Sequence, residues 1–355
     1  MTIKLKQPDI ITATYRIVTP MFMGDAQQKA TGISPASVKG ALRFWWRALN
    51  WGRVASACHS EKEALKQLHE EEAVLFGSSA YDSENKQRDK EHKALIGASR
   101  FTLKLDTSEV SSTAKADWPK GANDPSGYLG IGLWESGSKQ KGNFQAARQY
   151  LAEDKQFTVK LYSKVDELND AQMKQLKDAL LAWGLFGGLG SRSRRAFGSV
   201  AIESIDDQSY KCNTVNDYQE KIESIFQEYR LETIAQPPFS AFSRETAFSI
   251  CSSEKSKARD SHAHLGQAFK DYRGQPSDMR GEKKRVFGLP YSGGSKQDNE
   301  ERRASPLLFH IHPIGNKFVS ASLYFPATFH PKYKNDNIQF SLAENFLDQL
   351  EKVAL

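Results

Sequence analysis

Leu75-Phe76-Gly77, followed after a polar gap by Ala98-Ser99-Arg100-Phe101-Thr102-Leu103, has a counterpart later in the chain. There Val286-Phe287-Gly288 is followed by Ala304-Ser305-Pro306-Leu307-Leu308-Phe309. In both places a segment ends at Phe-Gly, polar residues intervene, and Ala-Ser opens a stretch with strand character. The recurrence of that order predicts a duplicated unit. Upstream of the first copy, Ile10 to Val18 is β-branched and aromatic and stops before Pro20, which predicts a strand. Ser34-Pro35 marks a helix start, and the apolar spacing carries that helix from Ala36 to about Trp51. Ser99 to Leu105 and Phe157 to Tyr162 alternate as strands do. Leu168 to Phe186 reads as a helix stopped by Gly187-Gly188, and Ser199 to Ile205 as a strand.

The second half repeats the plan. Phe239 to Ile250 predicts a strand, and Lys257 to Tyr272 a helix with Ala258, Leu265, Phe269 and Tyr272 on one side. Strands follow at Ala304 to Ile311 and Phe318 to Phe325, then a helix from Ser341 to Val353. A strand–helix–strand–strand unit occurring twice places the chain in the α+β class. Tyr81 to Lys93, Asp106 to Gly127 and the segment around Gly293-Gly294 are polar and predict long inserted loops.

The chain has 355 residues, enough for roughly two domains at about 150 residues each. Hydrophobic residues are 39% and charged residues 26%, which excludes wholesale disorder. The longest apolar or glycine run, Ala179 to Gly190, spans 12 residues and is too short to cross a membrane. The opening residues show no export signal, so a cytoplasmic location is expected. Three cysteines without C-x-x-C spacing exclude a disulfide framework and a cysteine-held zinc. The net charge of +6 is mild, so the distribution of cations must decide whether nucleic acid binds.

Two stretches concentrate those cations. In Ala36-Ser-Val-Lys-Gly-Ala-Leu-Arg-Phe-Trp-Trp-Arg, the residues Val38, Leu42, Trp45 and Leu49 share one helical arc. Lys39, Arg43 and Arg47 share another, with Trp46 at its border. No acid lies between Lys39 and Arg53. Such a face suits phosphates, and Trp46 is a candidate for base stacking or for packing. The second stretch is Gly187-Gly-Leu-Gly-Ser-Arg-Ser-Arg-Arg-Ala-Phe-Gly198. Gly187, Gly188 and Gly190 can turn backbone N–H groups inward as an anion nest, and Arg192, Arg194 and Arg195 supply charge. It is neither a Walker A loop nor a dinucleotide fingerprint, because it runs from helix to strand without G-K-[ST]. Lys283-Lys284-Arg285 with Arg302 and Arg303 is diluted by acids and predicts a solvated surface. His262-x-His264 and His310-x-His312 lack a third ligand, so packed or surface histidines are expected, with no metal and no cofactor.

The run Thr19-Pro-Met-Phe-Met-Gly-Asp with Ile33-Ser-Pro-Ala-Ser-Val-Lys-Gly-Ala-Leu-Arg-Phe-Trp-Trp-Arg-Ala closely resembles the N-terminal signature of a RAMP family. That family is the subunit numbered first in the Cmr complex, the type III-B CRISPR effector. The Gly187 to Gly198 segment looks like the glycine-rich loop of RAMP proteins. The resemblance implies two tandem ferredoxin-like (RRM-like) domains with antiparallel sheets, divided here into residues 1–208 and 209–355. It further implies a non-catalytic RNA-binding subunit, meeting crRNA and/or single-stranded target RNA and other Cmr RAMP subunits. The rival expectations are a metal-independent RAMP endoribonuclease that processes CRISPR RNA precursors, and a structural end-cap. The RNA reading requires that the cations line one groove and are not neutralised by the chain's own carboxylates.

Overall fold

The computed structural model describes residues 8–24, 29–78, 97–112, 117–121, 123–134, 148–231, 234, 236–275, 281–291, 294–333 and 338–350. The predicted loop at Tyr81 to Lys93, Gly293, and the last turn expected of the terminal helix lie outside them. Strand β1 (Ile10–Ile17) pairs antiparallel with β3 (Gln156–Ser163) on one side and β4 (Val200–Ile205) on the other. β2 (Phe101–Asp106) adds beyond β3 and the short β5 (Gln208–Ser209) beyond β4, giving the order β2-β3-β1-β4-β5. Period-2 burial orients this sheet. Ile11, Ala13, Tyr15 and Ile17 are buried, while Thr12, Thr14 and Arg16 are only partly so.

Helices α1 (Pro35–Ala57), α2 (Glu61–Phe76) and, further on, α4 (Asp170–Phe186) cover the buried face; the short α3 (Pro125–Leu129) precedes β3. The Tyr15 hydroxyl donates to the carbonyl of Leu180 across that interface at 2.9 Å. A strand–helix–strand–strand–helix–strand chain with this strand order is the ferredoxin-like arrangement expected. After α5 (Val215–Tyr229), the second half supplies β6 (Ala247–Ile250), α6 (Ala258–Gly274), the short α7 (Lys296–Glu300), β7 (Leu307–Ile314), β8 (Lys317–Tyr324) and α8 (Ser341–Gln349). Its sheet order β6-β8-β7 repeats that of β1, β3 and β2. A fourth strand is absent among the described residues.

The repeated motif has a steric cause. Gly77 adopts φ +79, and a Cβ there would lie 2.7 Å from the Ser99 nitrogen. Gly288 adopts φ +108, and its Cβ would lie 2.8 Å from the Arg303 carbonyl oxygen. Isolated bridges Ser78↔Gly97 and Leu289↔Arg303 sit at the same two places. Phe-Gly and Ala-Ser are thus the two sides of one backbone crossing, and only glycine fits its left-handed, crowded turn.

Several predicted elements change. α1 continues to Ala57 because Val54 prolongs its apolar stripe. α2 and α5 fall outside the sequence expectations, since polar and charged residues outnumber their apolar positions. Their caps are Ser60 and Thr214, whose side chains accept from the nitrogens of Glu63 and Asp217. The strand expected from Phe239 shortens to Ala247–Ile250, with Ala241 and Phe242 buried in the preceding loop. β5 carries the first sheet to Ser209, which pairs with Ser204, and α5 buries Tyr218, Ile222 and Ile225 in the first core. β7 is buried along its whole length because its sheet is covered on both faces. Leu308 and Ile314 join the first core, while Leu307, Phe309 and Ile311 join a second core with Leu265, Phe269 and Phe346. Among the described residues no helix is long and apolar enough to cross a membrane.

Candidate nucleic-acid interface

α1 turns its cationic arc toward α2. Arg43 Nε and Arg47 Nη1 both donate to Glu72 Oε1, at 2.5 and 2.8 Å. The Glu72 side chain is 3% exposed, against 36% and 37% for the two arginines. At Arg43 and Arg47, two of the three positions expected to contact phosphates, α2 therefore supplies the counter-charge that the helix itself lacks. Lys39 lies over the Phe101 ring at 5.8 Å, and partial burial followed by Arg43 lowers its pKa. Trp46 packs rather than stacks on a base. It is 1% exposed, its Nε1 donates to Gln175 at 3.1 Å, and its ring meets Phe76 edge-on.

The opposite part of α1 does meet the glycine-rich loop. A cleft of about 290 Å³ lies between Ser37, Ala41 and Phe44 of α1 and the loop residues Gly187, Gly188 and Arg194. α4 runs straight into this loop, where crowding dictates glycine. A Cβ at Gly187 would lie 2.6 Å from Trp183 Cδ1 and 2.8 Å from Trp45 Nε1. At Gly190, with φ +89, it would lie 2.6 Å from the Phe22 carbonyl oxygen. Of the glycines expected to form a nest, Gly187 donates its N–H to the Trp183 carbonyl. Leu189, Ser191 and Gly198 donate theirs to carbonyls of Gly198, Phe22 and Pro20, so these donors hold the loop's shape. Gly187, Gly188 and Gly190 all line the cleft.

The loop arginines diverge. Arg192, at φ 61, is exposed, and partial desolvation followed by the nearby Arg148 lowers its pKa. Arg194 lines the cleft. It donates to the Ser305 carbonyl at 3.1 Å and to Ser240 Oγ at 3.3 Å, and lies 5.2 Å from the centre of the Phe44 ring. Burial, then Arg303, pushes it down to about 10. Arg195 turns the other way, over the rings of Phe269 (4.9 Å) and Phe309 (5.2 Å), and donates to the Phe287 carbonyl at 3.2 Å. Burial, then Arg273, pushes it down to about 9. Carbonyls and rings, not carboxylates, receive Arg194 and Arg195 among the described residues.

Histidines of the second half clamp the loop to it. His310 Nδ1 donates to the Gly187 carbonyl at 3.0 Å, and His262 Nε2 to the Arg195 carbonyl at 2.9 Å. Those acceptors dictate the tautomers, so the Ser126 hydroxyl donates to His262 Nδ1 (3.0 Å) and His312 Nδ1 to His310 Nε2 (3.2 Å). His312 stacks on Tyr218 at 3.8 Å. Burial pushes His262 and His310 down to about 3, so both are neutral near pH 7. The Phe309 N–H donates to the Arg194 carbonyl at 3.0 Å, which adds a backbone tie. His262, His310 and His312 are buried and His264 is partly so, and among the described residues no group of three or more His, Cys, Asp or Glu could hold a metal. The reading of Lys283 to Arg303 as solvated surface is corrected at two positions. Arg285 is buried on Asp298 (2.7 Å), and Arg303 donates to the Phe329 carbonyl (2.6 Å).

Ser37, Ala41 and Phe44 escaped the sequence reading because they fall on neither arc that was singled out. Their only signal is membership of one stripe, three and four residues apart, within the quoted motif.

The RAMP superfamily model matches residues 14–201. The chain is 23% identical over 334 residues to the Cmr subunit Cmr1-1 of the Pyrococcus furiosus CRISPR system, covering 87% of this chain and 86% of that one. It is 25% identical over 192 residues to Cmr1-2 of the same organism, covering 53% of this chain and 92% of that one. The crystal structure of Cmr1 from Pyrococcus furiosus (apo form) superposes with a TM-score of 0.57 at 20% identity, covering 96% of both chains. A chain in the cryo-EM structure of the Type III-B Cmr-beta bound to cognate target RNA gives 0.54 at 12% identity, covering 97% of this chain and 99% of that one. The chain thus belongs to the RAMP superfamily, as a relative of the Cmr subunits.

Proposed function

We propose that this chain is a non-catalytic, RNA-binding subunit of a crRNA-guided type III-B effector, where it helps to capture target RNA. The observation that carries the reading is the cleft between α1 and the glycine-rich loop. Its floor offers backbone and small side chains, Phe44 offers a partly exposed ring, and Arg194 offers a guanidinium without a carboxylate. A sugar-phosphate strand can approach a glycine surface more closely than any other. Arg192, exposed on the same loop, adds a cation that RNA can neutralise. The binding set is thus Ser37, Phe44, Gly187, Gly188, Gly190, Arg192 and Arg194, with Lys39, Arg43, Trp46 and Arg47 left to structure.

The division at residue 208 becomes, in this reading, two RAMP units joined through the loop, with α5 belonging to the first core. The histidines closest to the loop are held neutral by burial and bonded on both nitrogens or stacked, which suits clamps and not a general base.

The test is binding of the full chain to single-stranded RNA across a salt series. Each neutralised phosphate contributes a slope of about 0.7 in log K against log salt. Arg192→Ala is expected to lower the slope by about that amount without changing the melting temperature, and Ser37→Tyr to block binding sterically. An unchanged slope removes the loop from the RNA site. Metal-independent cleavage of a repeat hairpin by the chain alone refutes the non-catalytic reading.

A further inference from the structure

On the side of the glycine-rich loop away from the cleft, cations gather with no acid paired to Arg195 or Arg273 among the described residues. Arg195 lies over the Phe269 ring at 4.9 Å, and Arg273 lies over the same ring at 5.4 Å. Arg273 also lies 5.4 Å from the Phe287 ring, whose own carbonyl accepts from Arg195. Its Nη1 donates to the Tyr128 hydroxyl at 2.9 Å. Two guanidinium atoms in this group, Arg195 Nη1 and Arg273 Nε, are closed off from solvent with no hydrogen-bond partner. Lys284 lies on the 3-10 turn Gly281–Phe287, three residues before the Phe287 whose carbonyl and ring meet Arg195 and Arg273; burial, then Arg273, lowers the pKa of both Lys284 and Arg195.

Buried N–H donors are seldom left without an acceptor, and like charges this close repel. Aromatic faces relieve part of that repulsion but give a guanidinium N–H no charge-assisted hydrogen bond of the kind an oxyanion accepts. The missing component is an anion with several acceptor oxygens. A phosphate group meets that need, because its oxygens match guanidinium forks bidentately and also take an ammonium. A single carboxylate has fewer oxygens to share among three cations.

We infer that Arg195, Arg273 and Lys284 form a phosphate-binding site behind the glycine-rich loop, separate from the cleft. The site goes beyond the proposed RNA cleft and stands without it. Its phosphate is either a phosphodiester of a bound RNA strand or a free phosphate ion, and the two sources are separable.

The melting temperature of the full chain, measured in inorganic phosphate and in chloride at equal ionic strength, reads the site directly. The expected result is a rise of a few degrees in phosphate that shrinks in Arg273→Gln and in Lys284→Gln. Each variant is compared with itself in chloride, so any loss of ring packing by Arg273→Gln cancels. Lys284→Gln changes only a partly exposed side chain and keeps the test valid if the arginine variant folds poorly. Equal melting temperatures in the two salts for the unaltered chain overturn the proposal, as does a rise that both variants keep. The RNA salt slope then assigns the source. A drop of about 0.7 in Lys284→Gln identifies a phosphodiester, and an unchanged slope with a lost phosphate response identifies the free ion. Failure of the cleft reading leaves the phosphate arm intact, so the two proposals fail separately.

Discussion

Arg43 and Arg47 on α1 share the carboxylate of Glu72, whereas Arg194 and Arg195 on the glycine-rich loop meet carbonyl oxygens and aromatic rings. Both groups are runs of cations without a neighbouring acid in the sequence. What separates them is the helix that folds against each. α2 brings a buried acid to the first group. α6 and β7 bring the loop Phe269, Phe309, two neutral histidines and, near Arg195, the further cation Arg273, with no carboxylate paired to Arg194 or Arg195 among the described residues. A run of arginines thus tells where charge is and leaves open whether it is free to meet RNA.

Acid breaks this comparison most strongly, because histidines hold the loop and a carboxylate holds α1. His262 and His310 are pushed from 6.5 down to about 3 in the folded chain. The unfolded chain binds those protons first, so their contribution is complete above pH 6.5 and is lost as pH falls toward 3. Each histidine adds a slope of about 1.4 kcal/mol per pH unit in that window. Urea unfolding between pH 7 and 5 measures it. His310→Gln, which still offers a donor to Gly187, is expected to flatten the slope, and an unaltered profile would show that the clamp does not titrate.

Removing the acid from the other side comes next in size. Glu72→Gln leaves two partly exposed arginines facing a neutral amide, and a loss of about 2–3 kcal/mol is expected in the same urea assay. That figure lies below the range for fully buried pairs because water still reaches both guanidinium groups. A change under about 0.5 kcal/mol would erase the distinction between the two regions. The smallest effect sharpens it: Arg43→Gln is expected to leave RNA affinity within twofold and its salt slope unaltered, while Arg192→Ala lowers both. Equal losses in the two variants would return α1 to the RNA surface.

The duplication was legible because its signature is steric and local. Gly77 and Gly288 each sit where a left-handed turn crosses an Ala-Ser backbone, and any side chain would collide. Strand alternation at Phe157 to Tyr162 and the glycine stop after Phe186 were legible for similar reasons. α2 and α5 were not, since charge on most of their surface hides a narrow buried stripe. The site was half legible. Gly187, Gly190 and the loop arginines stand out by composition, yet the neutralising Glu72 lies 29 residues from Arg43, on one of the helices that was missed. Long-range pairing of that kind leaves no mark in either segment.

The carbonyl of Gly187 waits for a histidine 123 positions further along the chain. A nascent polypeptide emerging from the ribosome therefore leaves that carbonyl without its imidazole partner until β7 is made. Severing the chain between its two sheets would fix it in that state, so neither half expressed by itself would present the finished cleft.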